Sequence, residues 1–381
     1  MIQSDPQTAY SRDAVAVFGI PFDNVTLDDA ATRLIDAARD KRRLFLSTVN
    51  LDWLAMALEN DEFYRSILRS DLVTCDGSPL LKLANLLGAD LHERVTGADI
   101  FQVLRHKPLE PRLTTYFFGG RANAADAAVA ALRSDSAGLE AVGGVNPGFG
   151  SVDELSAPAL IDAVNATEPD LLIVALGAAK GQIWLDRNKD RLNVKAMAHL
   201  GAVVDFAAGS VKRAPSLAQN LNLEWAWRIG QDPQLWRRYA KDARLLPGLL
   251  SHAIKAKRWL EDQPRSSAAA LVEEADSIIL QGDIEDHGRP ALIDLLIRTE
   301  RAGQDLCLSI DPSARLGLRT FALLLIAGQR FSDRGHTLRV TTHRENHRAL
   351  CDFNHIPVSS CQDRHDGGAI APTSDRASVS A

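Results

Sequence analysis

The chain has 381 residues, 46% of them hydrophobic, and a formal net charge of −6. That length favours two domains over one, and the acidic balance gives no global attraction to nucleic acid, so no nucleic-acid partner is expected. No stretch approaches the ~18 consecutive apolar residues of a spanning helix, and the polar run Met1 to Arg12 has no hydrophobic signal region, so a cytoplasmic protein is expected.

In chain order, the apolar runs that read as strands are Leu44–Thr48, Leu72–Thr74, Thr115–Phe118, Leu171–Leu176 and Ala196–Leu200. Most end on Gly, Asn or Asp and lead into a helical pattern. Residues 13–262 are therefore expected to form an α/β domain with a mainly parallel sheet. Ligands of open α/β sheets sit beyond the carboxyl ends of the strands, which fixes where chemistry is sought. Within this stretch, residues 212–258 hold ten Lys and Arg against the acids Glu224, Asp232 and Asp242, interleaved with Trp225, Trp227, Trp236 and Tyr239. This basic helical appendage, about 212–262, fits an interfacial helix on anionic lipid or a hairpin packed on the core with a solvated basic face. Pro247 is expected to kink or break it.

After a Pro/Ser/Ala linker, Gln263–Ala270, a second small α/β unit spans 271–362. Its predicted elements are strand Ser277–Leu280, helix Ala291–Ala302, strand Leu306–Ile310, helix Leu316–Phe331, strand Thr337–Thr341 and helix Arg344–Phe353. The polar tail 363–381 is expected to be disordered. Cys75, Cys307, Cys351 and Cys361 are scattered without a C-x-x-C pair, which argues against structural zinc and for reduced thiols.

Seven segments could carry chemistry. Thr48 and Asn50 offer a hydroxyl and an amide at a strand end. Asp76, in Asp76-Gly77-Ser78-Pro79, is either a general base projecting into a cleft, its pKa raised by partial burial, or a turn or N-cap aspartate. Arg94-Val95-Thr96-Gly97-Ala98-Asp99 reads as a loop feeding a helix, suited to an anion or sugar contact or to structural ion pairing. Phe117-Phe118-Gly119-Gly120-Arg121 ends a strand before a helix at 122–133, a place where amides can meet a phosphate. The loops Gly143-Gly144 and Pro147-Gly148-Phe149-Gly150 could lie over a ligand. Gly177, Lys180 and Gln182 follow the strongest strand. Gly201 to Asp205 leads to Gly209-Ser210-Val211-Lys212-Arg213-Ala214-Pro215. Leu223-Glu224-Trp225-Ala226-Trp227-Arg228 precedes Arg237 and Arg238, and such arginines can neutralise a leaving nucleoside diphosphate.

In this order, over Val15 to Tyr239, the phrases T-x-N, D-G, R-V-T-G-x-D, G-x-V-K-R-A-P and L-E-W-x-x-R resemble the WecG/TagA/CpsF family of glycosyltransferases. The resemblance implies a Rossmann-like α/β fold and inverting transfer of a sugar from a UDP-sugar to a polyprenyl-diphosphate-linked sugar acceptor, without metal or cofactor. It implies Asp76 as the base, with Asn50, Arg94, Thr96 and Gly97 in the site. It also implies an appendage that binds the inner face of the cytoplasmic membrane and supplies Arg228, Arg237 and Arg238. Amides near Gly119 and Gly120 would help to hold the departing UDP. Asn50, Thr96 and Gln182 would orient sugar hydroxyls. One stretch departs from the pattern. Where the family reads G-x-P-K-Q-E-x-W, this chain has Gly177-Ala178-Ala179-Lys180-Gly181-Gln182-Ile183-Trp184. Gln182 is the expected substitute for the displaced glutamine, and the departure keeps open a UDP-sugar-binding regulatory protein.

The second unit resembles a STAS domain in its order of elements, with Gly282 in the first strand and a helix beginning near Gly317. The Asp-Ser-Ser-Gly turn of STAS regulators is replaced by Ala314-Arg315-Leu316-Gly317, with Ser313 out of register. The resemblance therefore implies a protein or homo-oligomer contact rather than a phosphorylation switch.

Overall fold

A computed structural model of the chain describes residues 5–121, 123–209, 214–215, 224–264, 268–274 and 276–359. The expected tail lies outside the described residues. The chain opens with helix α1 (Pro6–Tyr10) and the antiparallel hairpin β1 (Ala14–Val17) and β2 (Ile20–Asp23). There follow α2 (Leu27–Arg39), β3 (Leu44–Val49), α3 (Leu51–Glu59), α4 (Asp61–Leu68), β4 (Leu72–Cys75), α5 (Ser78–Leu86) and α6 (Gly97–His106). Next come β5 (Leu113–Gly119), α7 (Ala124–Ser134), β6 (Leu139–Val145), α8 (Val152–Leu155), α9 (Pro158–Asn165), β7 (Leu171–Ala175), α10 (Ala178–Asn188), β8 (Ala196–His199) and α11 (Gly201–Ala207).

Strands β3 to β8 form one six-stranded sheet in the order β4-β3-β8-β7-β5-β6, with every pairing parallel. Their sequences explain this. β7, Leu-Leu-Ile-Val-Ala, is buried at every residue, as a strand covered on both faces must be. Alternate residues supply two separate cores. Leu46, Phe117, Ile173 and Ala198 pack with α2, α6, α7 and α11 on one face. Phe45, Phe118, Val174 and Met197 pack with Leu155, Ile161 and Trp184 on the other. Trp184 stacks on Phe118 at 4.4 Å between ring centroids and donates its indole N–H to Leu155 O at 2.8 Å.

All five strands expected from the sequence are present, and β6 is an addition. Its Gly143 and Gly144 read as loop, but a Cβ at Gly143 would come within 2.7 Å of the Tyr116 ring on β5. The glycine is there so that a neighbouring aromatic can cross the strand.

The appendage consists of α12 (Glu224–Gln231) and α13 (Leu235–Glu261). Pro247 does not end α13, which runs through it as one helix. Proline removes one N–H donor, and the remaining bonds of a helix this long keep it continuous across the gap. The compact units of the chain nevertheless part beside that proline, between residues 245 and 246.

The first unit contains residues 25–81 and 92–245, and the second contains residues 5–24, 82–91 and 246–359 of those described. In the second unit β9 (Ala269–Glu274), β10 (Ser277–Gly282), β11 (Leu306–Ile310) and β12 (Leu338–Thr342) form a mixed sheet in the order β12-β11-β10-β9. Only the β9–β10 pairing is antiparallel. Helices α14 (Arg289–Ala302), α15 (Leu318–Asp333) and α16 (Glu345–Phe353) accompany it. β9 begins inside the expected linker, and Gln263 is buried, its side chain bracketing the Leu316 backbone with bonds of 2.7 and 2.8 Å. The N-terminal hairpin packs on α15, and Tyr10 bonds to Glu300, which also holds Arg330 at 2.7 Å. The carboxylate of Glu285 accepts from the backbone N–H groups of Gly317, Arg319 and Thr320, so the first turn of α15 already has its anionic cap.

Candidate active site

The carboxyl ends of β4, β3, β8, β7 and β5 lie in a row, and Thr48, Asn50, Asp76, Gly119 and Gly177 stand at or just beyond them. Asn50 follows β3 and caps α3, its Oδ1 accepting from Trp53 N at 3.1 Å. Asp76 follows β4. Its N–H donates to Val49 O at 2.8 Å, which ties the two strand ends together. The φ of +145° at Gly77 turns the chain away beside Asn50, a conformation that glycine adopts without strain.

The Asp76 carboxyl is pushed up to about 6 from an ordinary value of 3.8. Burial is the main cause, because a desolvated anion is disfavoured. Arg228 and Arg94 pull it down, and Glu224 and Asp99 push it up. These four groups are themselves linked: Arg94 pairs with Glu224 at 3.5 Å and Asp99 at 3.9 Å, and Arg228 with Glu224 at 3.9 Å. An acid poised near neutrality beside two guanidinium groups can take a proton while an anion is neutralised next to it. Glu224→Gln is expected to lower the Asp76 pKa by ~0.5 to 1 pH unit, read by carboxyl NMR titration. An unchanged or higher value would contradict this electrostatic arrangement.

Thr48 is buried and lies beside Gly97, whose missing side chain leaves room for Leu200. Thr96 caps α6, accepting from Asp99 N at 3.0 Å and donating to Asp99 Oδ2 at 2.7 Å. Asp205 accepts from Arg121 N at 3.3 Å. Arg238 lies 3.7 Å from Asp52 on α3, and Arg237 is exposed. Lys180 donates to Gly150 O at 2.6 Å and so fastens the loop after β6.

Two expectations are corrected. Gly120 N–H is spent on Ala175 O at 2.8 Å. Gly119 approaches that same carbonyl so closely that a Cβ would stand 2.4 Å from it. These glycines serve strand packing, and the Gly120 amide is not open to a phosphate. Instead the N-terminus of α10 has no side-chain cap, and Gly177, at φ +86°, has open space where a side chain would be. Its first amides have no partner within the helix, and they and the positive dipole end suit an anion. Gln182 is the second correction. It is fully buried, and its amide donates to Ser47 Oγ at 2.8 Å and to Ser66 O at 3.3 Å. It braces α10 against β3 and α4 and does not reach the row of strand ends.

The space beside Gly181 is taken by His199, from the end of β8. A Cβ at Gly181 would lie 2.0 Å from His199 Cδ2. The ring is buried 5.8 Å from the Trp53 ring, and neither nitrogen has a protein partner among the described residues. Burial holds it well below the usual histidine range, at about 4, so it is neutral. His199 was not legible beforehand, because nothing local marks a histidine that faces a glycine eighteen positions earlier.

Helix α12 and the start of α13 are tied to the sheet unit by charge. Arg121 pairs with Asp232 at 3.4 Å and Lys241 with Glu59 at 3.0 Å, besides the Arg94 and Arg238 pairs above. Trp225, Trp227 and Trp236 are exposed. Residues 210–213 and 223 of the quoted motifs lie outside the described residues. Among the described residues no helix is long and apolar enough to cross a membrane, and no group of three or more His, Cys, Asp or Glu is placed to hold a metal ion.

The family model for glycosyl transferases of the WecG/TagA/CpsF family matches residues 15–260. Similar curated proteins bear the name N-acetylglucosaminyldiphosphoundecaprenol N-acetyl-beta-D-mannosaminyltransferase. One from Bacillus spizizenii is 26% identical over 208 residues, covering 55% of this chain and 79% of that protein. One from Staphylococcus aureus is 23% identical over 249 residues, 65% of this chain and 94% of its own. One from Bacillus subtilis is 25% identical over 193 residues, 51% and 73% respectively.

Proposed function

This chain belongs to the WecG/TagA/CpsF family of glycosyl transferases, and on that premise we propose that it moves a sugar from a UDP-sugar to a polyprenyl-diphosphate-linked sugar in one inverting displacement. The observation that carries the reading is Asp76, an acid raised to about 6 at a strand end beside Arg94 and Arg228. Asp76 takes the proton of the acceptor hydroxyl as its oxygen attacks the anomeric carbon, and the bond to the nucleoside diphosphate breaks. Arg94 and Arg228, with the open amides at the start of α10, hold the departing diphosphate. Arg237 and Arg238 on α13 add positive charge toward the departing diphosphate. Asn50, with its amide nitrogen free of protein acceptors among the described residues, orients a sugar hydroxyl. Thr48, Thr96, Gly97 and Asp205 shape the site by capping and packing, and Lys180 does so by holding a loop.

The names of the relatives support an acceptor that carries N-acetylglucosamine on undecaprenyl diphosphate and a transferred N-acetylmannosamine. The exposed tryptophans and the basic charge of α12 and α13 fit work at the inner face of the cytoplasmic membrane, where such a lipid is met. Residues 13–262 are proposed as the catalytic module, and 271–362 as a STAS-like module for contact with a protein or a second copy of the chain. The test is a transfer assay with a panel of UDP-sugars and a short polyprenyl-diphosphate-sugar acceptor, with the product linkage determined. Steady product formation with inversion is expected. UDP-sugar binding without transfer to any acceptor would favour the regulatory reading, which the burial of Gln182 motivates.

A further inference from the structure

His199 is the last residue of β8 and shares a face of the sheet with Met197. Its ring is buried between the first turns of two helices that start at the strand ends. Trp53, in the first turn of α3, stands 5.8 Å away between ring centroids, and its backbone N–H donates to Asn50, the cap of that helix. On the other side is the first turn of α10, where a Cβ at Gly181 would lie 2.0 Å from Cδ2 and 2.7 Å from Nε2. A Cβ at Gly201, the first residue of α11, would meet Cε1 at 3.2 Å and Nε2 at 3.5 Å. The Nε2 edge of the ring therefore faces two glycines, and neither has a side chain to bond to it.

An apolar ring would fill this space at lower cost. Neutral imidazole always carries one N–H donor and one lone-pair acceptor, and neither nitrogen meets a protein group among the described residues. A buried polar group left in that position calls for a reason, and a ligand that arrives with its own polar group is one. The kind of group follows from charge. Burial holds the ring neutral at pH 7, with its pKa at about 4, so it suits an uncharged donor or acceptor better than a phosphate. The diphosphate is assigned to the uncapped start of α10, and the uncharged polar part of a nucleotide sugar next to its diphosphate is the sugar. We propose that His199 Nε2 hydrogen-bonds a hydroxyl or acetamido group of the donor sugar and so helps to position its anomeric carbon. This rests on the reading of the donor as a nucleotide sugar. Both nitrogens are closed to solvent, so the bond forms as the uncapped first turn of α10 shifts on binding, and at positions 181 and 201 only backbone stands in the way.

The experiment is calorimetric titration of the full chain with UDP, UDP-glucose and UDP-N-acetylmannosamine. His199→Phe, and the smaller His199→Leu, are expected to leave UDP binding unchanged and to weaken binding of a UDP-sugar about 2- to 12-fold. His199→Gln, whose amide can make the same bond, is expected to recover affinity for the sugar donor. Weakening with both sugars identifies a hydroxyl as the partner, and weakening with UDP-N-acetylmannosamine alone identifies the acetamido group. UDP-sugar binding that both apolar variants leave unchanged overturns the sugar contact alone. Equal loss for UDP and the UDP-sugars also overturns it, since the ring would then be shaping the diphosphate site. If neither apolar variant folds, the ring is a packing element and the contact is overturned as well. Failure of the wild-type chain to bind UDP or either UDP-sugar would remove the donor reading and the sugar contact together.

Discussion

Asp76→Asn is expected to lower transfer by about 10²- to 10⁴-fold and, at the same time, to make the folded chain more stable at neutral pH. Both follow from one property. The carboxyl sits at about 6 in the folded chain against an ordinary 3.8. Between those values the native state binds the proton that the unfolded chain has released, so stability falls as pH rises from about 4 to about 6 and levels above that. Keeping the ionised group in its folded place costs on the order of 3 kcal/mol, and an asparagine avoids that cost. The gain should therefore be full at pH 7 to 8 and vanish as pH falls toward 4. In the wild-type enzyme kcat/KM should rise through an apparent pKa near 6 and stay level above it, because the base acts when ionised. Denaturant midpoints of both proteins at pH 4.5 and 8, with a pH–rate profile, test this. A variant as active as wild type would end the assignment of the base. A variant no more stable at pH 8 would contradict the buried-anion account.

Gly181→Gln is expected to destabilise the first unit by ~3 kcal/mol or more, at the upper end for overpacking. The new Cβ would start 2.0 Å from His199 Cδ2 and 2.7 Å from its Nε2. The ring cannot retreat easily, with Trp53 packed near it and its own position fixed by the end of β8. Removing the ring with His199→Gly should restore most of the loss. The pair is thus expected to be strongly coupled, with the double variant more stable than Gly181→Gln alone by ~1–3 kcal/mol. Thermal unfolding of wild type, the two single variants and the double variant closes the cycle. Additive effects would mean that the two positions do not share the space. The cycle also bears on the departure in the Gly177–Trp184 stretch, because a glutamine at position 181 and a histidine at 199 exclude each other physically.

Much of the fold was legible because burial leaves a period in the sequence. The five apolar runs became parallel strands, since residues covered on both faces have no polar alternative. The helices of the second unit could be read to within a few residues from their 3.6-residue pattern. The elements missed were those whose burial is partial or whose residues signal something else. The Ala/Glu-rich β9 is an edge strand with much of its length exposed, and the short hairpin β1–β2 owes its burial to α15.

The sequence by itself determined five of the six strands of the sheet and the place of Asn50 and Asp76 at two of their carboxyl ends. Those follow from local patterning. Only the tertiary structure decided what each candidate side chain meets. Gln182 stands one residue beyond the position where the family has its glutamine, and one residue on a helix is a rotation of about 100°. That rotation turns its amide to Ser47 and Ser66 in the core, while Gly181 faces His199. Glu224 reaches the surroundings of Asp76 from 148 residues away, and the Gly120 amide is claimed by a carbonyl on a neighbouring strand. Hydrogen bonds and charges are satisfied by whatever the packed chain brings within reach, and no local pattern in the sequence encodes that choice of partner.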